Sequence, residues 1–90
     1  MGTMSDRLQV IANRLIRTRQ ALGFEEQVEF CAEIGVAKNV YNPFEKGKRR
    51  ITIDVALKIR ERFDISLDWI YCGDASRLSV SIHKKISRAA

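Results

Sequence analysis

A chain of 90 residues, 46% hydrophobic and 30% charged, has room for one small domain with a single core and is too rich in Ile, Leu, Val and Phe to be disordered. No apolar run approaches the roughly 20 residues of a membrane span, and the opening "MGTMSDRLQV" lacks the basic start and apolar core of a secretory signal, so a cytoplasmic protein is expected. The net charge of +5 admits a polyanionic partner without requiring one.

Residues 1–3 are set aside, because Met4 offers a second start. Leu8, Ile11, Leu15 and Leu22 then recur at helical spacing and predict a first helix over residues 6–22, with Ser5 as its N-cap and Gly23 just past its end. In "EEQVEFCAEI", residues 25–34, Val28, Cys31 and Ile34 form one stripe with glutamates opposite, and the early acids suit the positive end of the helix dipole. This second helix stops at Gly35. Only Gly35 and Val36 intervene before a third helix, residues 37–45, in which Val40, Tyr41 and Phe44 can share an apolar face. So short a joint forces the two helices to cross at a steep angle.

A basic loop, "KGKRRIT", follows. Thr52 can cap a fourth helix over residues 53–63, and Ser66 a short fifth one, "LDWIY", ended by Gly73. The expected architecture is therefore an all-α, five-helix domain over residues 5–73. A "GDAS" break leads into a C-terminal extension, residues 74–90. There Leu78, Val80 and Ile82 alternate as in a strand, while Leu78, Ile82 and Ile86 repeat as in a helix; the helix is favoured.

Charge is segregated along the chain. Arg7, Arg14, Arg17 and Arg19 lie in a stretch without acids, whereas residues 25–34 carry Glu25, Glu26, Glu29 and Glu33 without a base. Lys38, Lys46, Lys48, Arg49 and Arg50 face Glu45 alone, and the tail adds Arg77, Lys84, Lys85 and Arg88. A basic surface around residues 38–50 is expected. Cys31, on the apolar stripe of the second helix, reads as a small core residue, and no disulfide with Cys72 is expected. With His83 as the one histidine, no zinc-ligand spacing arises, and no glycine-rich phosphate loop or placed carboxylate pair supports catalysis. No enzyme, cofactor, metal or small-molecule ligand is expected.

A helix, a tight glycine-containing turn and a second helix form the helix-turn-helix arrangement. Four stretches make the match more specific: Arg19 and Gly23 in "RQALG"; Gln27, Phe30, Ile34 and the turn Gly35-Val36 in "QVEFCAEIGV"; "FEKGKR"; and "ITIDVALKIRERFDISLDWI". Together, residues 15–71 resemble the helix-turn-helix family of the phage repressors and Cro, also called the XRE family. That resemblance implies that Lys38, Asn39 and, one turn on, Asn42 contact base edges, lysine donating to guanine and asparagine pairing with adenine. It implies phosphate contacts from Gln27, Lys46, Lys48, Arg49 and Arg50, a buttress from Gln27 to the recognition helix, and a structural ion pair between Arg19 and Glu45.

Pro43 departs from the family pattern. It removes an amide from the recognition helix and biases Asn42 against α geometry, so a truncated or bent helix is expected, anchored to the core by Tyr41 and Phe44. "GFEEQ" is one residue longer than the family spacing, with no Ser or Thr to cap the second helix. Trp69 reads either as a dimer contact or as core, and the apolar tail either as part of a dimer interface or as packing on its own domain. The resemblance points to a bacterial or prophage transcriptional regulator, associated with the nucleoid, that binds palindromic double-stranded DNA as a homodimer. The competing reading is a helix-turn-helix module that binds protein, as an antitoxin-like or adaptor subunit does.

Overall fold

The computed structural model describes residues 4–89, and the side chains of residues 7–88. Residues 1–3 lie outside it. Among the described residues the chain forms six helices and no strand: α1 Met4–Ala21, α2 Gln27–Ile34, α3 Lys38–Glu45, α4 Ile53–Phe63, α5 Leu67–Cys72 and α6 Val80–Ala89. The first helix packs on α3, α5 and α6; α2 packs on α3 and α4, and α4 on α5. One core results, with Leu15, Phe30, Tyr41, Ile59, Ile65 and Ile70 among its most buried side chains.

Local chemistry accounts for most of the helix ends. The Thr52 hydroxyl accepts from the Val55 amide and the Ser66 hydroxyl from the Trp69 amide, so α4 and α5 start where a side chain satisfies an otherwise orphaned donor. Helix α4 stops at Asp64, a non-glycine residue in left-handed geometry with φ 59°. Ser5 is not an N-cap: α1 begins at Met4 and Ser5 stands in its first turn. The second helix starts at Gln27, two positions later than its charge pattern suggested. Phe24 is drawn into the core, edge-on to Phe30 and Phe63 at 5.7 and 5.6 Å, and the Phe24 and Glu25 carbonyls accept from Arg19. Those two carbonyls are thereby committed outside the α2 ladder.

Two valines expected on apolar faces are exposed, Val28 at 58% and Val40 at 47%. The inward face of α2 is set by Phe30, Cys31 and Ile34, and that of α3 by Tyr41, Phe44 and Glu45. At 3.6 residues per turn each valine falls more than a quarter turn from those faces.

The tail is helical and packs on its own domain: Leu78 and Ile86 are buried in the common core, and α6 lies against α1. The five-helix expectation thus becomes six. Trp69 is core as well. It is 7% exposed, and its indole N–H donates to the Thr18 hydroxyl at 2.9 Å, which in turn donates to the Arg14 carbonyl at 2.7 Å.

Candidate nucleic-acid interface

Helix α2 ends at Gly35 in left-handed geometry, φ 70°, and the next amide, that of Val36, donates to the Cys31 carbonyl at 3.0 Å. A side chain at Gly35 would be strained there whatever space it had. Gly35, Val36 and Ala37 form the whole connection, one residue longer than the sequence suggested. The Ala37 carbonyl accepts from the Val40 and Tyr41 amides at 3.0 and 3.1 Å and so opens α3 without a side-chain cap.

Helix α3 does not break at Pro43. Asn42 remains helical and the helix runs through the proline to Glu45, so the expected truncation is absent. Proline at this position can relieve only the carbonyl four residues earlier, that of Asn39. Asn39 is an exposed residue, where water can supply the missing donor. The Pro43 carbonyl accepts from the Lys48 and Arg49 amides at 3.0 and 3.3 Å, which ties the basic loop back onto the helix. Gly47, at φ 70°, lets that loop pass close to α1: a Cβ there would sit 2.8 Å from Gln9 Oε1.

Lys38 and Asn39 sit together at the exposed start of α3, with Asn42 half-buried one turn later. Lys46, Lys48, Arg49 and Arg50 follow the other end and are exposed. An eight-residue helix spans roughly 12 Å, so the polar start and the basic end of α3 are about one major-groove width apart.

Behind this surface lies a buried polar network. Arg19 grips Glu45 with two parallel bonds, Nε to Oε2 at 2.9 Å and Nη2 to Oε1 at 3.1 Å, while Nη1 donates to the Phe24 and Glu25 carbonyls. The two residues are 6% and 4% exposed. Burial alone would lower the Arg19 pKa, but the hydrogen bond and the charge of Glu45 raise it above its ordinary value. Arg19 and Glu45 thus lock the end of α1, the loop after it and the end of α3 into one unit.

Gln27 joins that unit, because its Nε2 donates to Glu45 Oε1 at 3.0 Å. Its Oε1 is buried without a hydrogen-bond partner in the protein. The family resemblance implied such a buttress to α3, although no spacing in the sequence names Glu45 as its partner. Thr18 was missed, although a signal existed: it falls between Leu15 and Leu22 on the inward face of α1, where a polar residue must find partners. Lastly, the Tyr71 hydroxyl donates to the Ile51 carbonyl at 2.6 Å and pins the far end of the basic loop.

A family model described as helix-turn-helix matches residues 15–70, which takes in the whole Arg19–Glu45–Gln27 network and both helices of the turn. The chain belongs to the Cro/C1-type helix-turn-helix family. This is a family of DNA-binding regulators. No curated protein and no solved structure matches the chain. Among the described residues of this Cro/C1-type protein, no helix is long and apolar enough to cross a membrane, and α6 lies outside the matched residues.

Proposed function

We propose that this protein is a sequence-reading transcriptional regulator of a bacterium or prophage, in which α3 enters the major groove of double-stranded DNA. The supporting observation is the division of α3: Tyr41, Phe44 and Glu45 are buried and fix the helix, while Lys38 and Asn39 stand exposed at its start. The first turn of a recognition helix is where base edges are reached. Lys38 reads guanine and Asn39 adenine, each good contact discriminating by about 1–3 kcal/mol, and Asn42 touches the edge of the same site. Lys46, Lys48, Arg49 and Arg50 neutralise phosphates beside the groove, adding affinity without base preference. Gln27, with one amide hydrogen on Glu45, offers the other to a phosphate at the start of α2. Two copies bind a palindromic site in the cytoplasm, each supplying one α3.

Selection of duplexes from a random-sequence pool tests this reading, with the enriched motif measured at two salt concentrations. An enriched palindrome is expected, and Lys38→Ala or Asn39→Ala should flatten preference at one base position while the fold stays intact. Absence of enrichment, with only weak salt-sensitive binding, would sink it and favour a protein-binding module that uses the exposed Val28 and Val40.

A further inference from the structure

Beside the basic loop, on the face of α1 turned toward α5, runs an open groove of about 500 Å³. That volume falls within the roughly 300–1,000 Å³ of small-molecule sites. Its lining comes from one face of α1, at positions 7, 10, 11 and 14, together with Arg50 and the end of α5. The guanidinium groups belong to Arg7, Arg14 and Arg50, and the apolar surface to Val10, Ile11 and Tyr71. Among the described residues, no acid lines the groove.

The cationic side of the groove is partly built in. Arg14 Nη1 donates to the Ile70 carbonyl at 2.9 Å, and its guanidinium lies over the Trp69 ring at 5.5 Å. Gly73 lets it approach so closely that a Cβ there would sit 2.7 Å from Arg14 Nη2. Burial, with Arg17 nearby, pulls the Arg14 pKa below its ordinary value against a smaller opposite pull from Cys72. An anion would supply compensation there. The Tyr71 ring is fixed by its bond to Ile51, and burial raises its phenol pKa against a smaller opposite pull from Arg50. Val10, although apolar, is 51% exposed in this groove.

Two occupants fit poorly. A second copy docking groove to groove would set three arginines against three. Inorganic phosphate would answer the charge and leave the apolar surface wet. We infer that the groove binds a small organic anion, a carboxylate on an aromatic-sized apolar body held by arginine forks, and that its occupancy competes with DNA for Arg50. The competition, unlike the binding, rests on the DNA reading above.

The test uses the intact chain with naphthoate as probe, followed by proton–nitrogen correlation spectra that resolve arginine Nε–H groups, at constant ionic strength. Saturable shifts at Arg7, Arg14 and Tyr71 are expected with naphthoate and not with neutral naphthamide. Arg7→Glu, at an exposed position, should weaken the probe about tenfold through loss of a charge-assisted contact. Arg77→Glu changes net charge equally outside the groove and should leave the probe affinity unchanged. Equal binding of naphthamide, no saturable shift, or equal loss in both variants overturns the site. For the competition, duplex affinity should fall severalfold at saturating naphthoate; unchanged affinity overturns that part. A chain that binds no duplex removes the competition together with the DNA reading, while the spectra alone decide the site.

Discussion

Glu45→Ala should be among the most destabilising single changes in the domain. The carboxylate accepts three bonds, from Arg19 Nε at 2.9 Å, Arg19 Nη2 at 3.1 Å and Gln27 Nε2 at 3.0 Å, at a residue only 4% exposed. Removing one partner of a buried ion pair costs about 3–5 kcal/mol, because the other charge stays buried and uncompensated. Arg19 keeps the Phe24 and Glu25 carbonyls as partners, which favours the lower end, about 3 kcal/mol. At the usual ~0.05–0.15 kcal/mol per residue a domain of this size has roughly 5–13 kcal/mol in all, so the loss is a large share of it. Urea unfolding followed by Trp69 fluorescence and far-ultraviolet circular dichroism reads the change. With a slope near the lower end of ~1–3 kcal/mol per molar, the midpoint should drop by about 3 M. The Arg62–Glu33 pair is an internal contrast, with side chains 52% and 39% exposed, and Glu33→Ala should cost less than about 1 kcal/mol. If the two substitutions cost the same small amount, the buried network does not hold α3 and the reasoning fails.

Replacing Arg49 and Arg50 with Ala should weaken all duplexes alike and reduce the log–log salt slope by about 1 per residue; loss confined to one sequence, in a titration against several duplexes, would contradict phosphate contact. Asp64→Gly should stabilise by about 0.5–1 kcal/mol, because the left-handed C-cap of α4 strains any residue with a Cβ, raising Tm by roughly 2–8 °C in a thermal melt. At high pH the fold should loosen through Tyr41. Burial first, and then the charge of Glu45, hold its phenol far above the ordinary value, so the folded chain favours the protonated form. Its contribution is complete below about pH 10, where tyrosine in the unfolded chain ionises, and is lost above it at up to about 1.4 kcal/mol per pH unit. Urea titrations from pH 9 to 11.5 should show a shallower decline in Tyr41→Phe; identical slopes would refute the assignment.

What could be read from the sequence followed from where the physics is local. Thr52 and Ser66 announced α4 and α5 because an N-cap needs only a hydroxyl three residues before an orphaned amide. The start of α2 could not be read this way, since Glu26 makes no cap bond and the boundary is set from a distance by Arg19 and Phe24. Val28 and Val40 matched an apolar spacing, yet the inward faces were decided by the larger Phe30, Tyr41 and Phe44, which only packing could rank. The alternating tail was ambiguous because a strand and a helix share Leu78 and Ile82; contact with α1 decided for the helix. Arg19 and Glu45 lie too far apart in the chain for any periodicity to join them, so their pairing came from the family resemblance. The resemblance likewise implied that Gln27 buttresses α3, although it did not name Glu45 as the residue that it meets.

Pro43 shows how these levels combine. In a long helix a proline at the sixth position would leave a gap in the middle of a hydrogen-bond ladder. In α3 the only carbonyl it relieves belongs to the exposed Asn39, and the carbonyls near the end of the helix are taken up by the loop: Asn42 by the Lys46 amide, Pro43 itself by those of Lys48 and Arg49. The cost of the missing amide therefore falls on the solvated side, while proline's fixed φ stiffens the turn from which the basic side chains emerge. Below, Tyr41 and Phe44 fill the core and Glu45 is clamped by Arg19 and Gln27. With its far end held on both sides, α3 can vary at Lys38, Asn39 and Val40, and at the half-buried Asn42, with least disturbance of the fold, and a change of DNA preference should be concentrated at those positions.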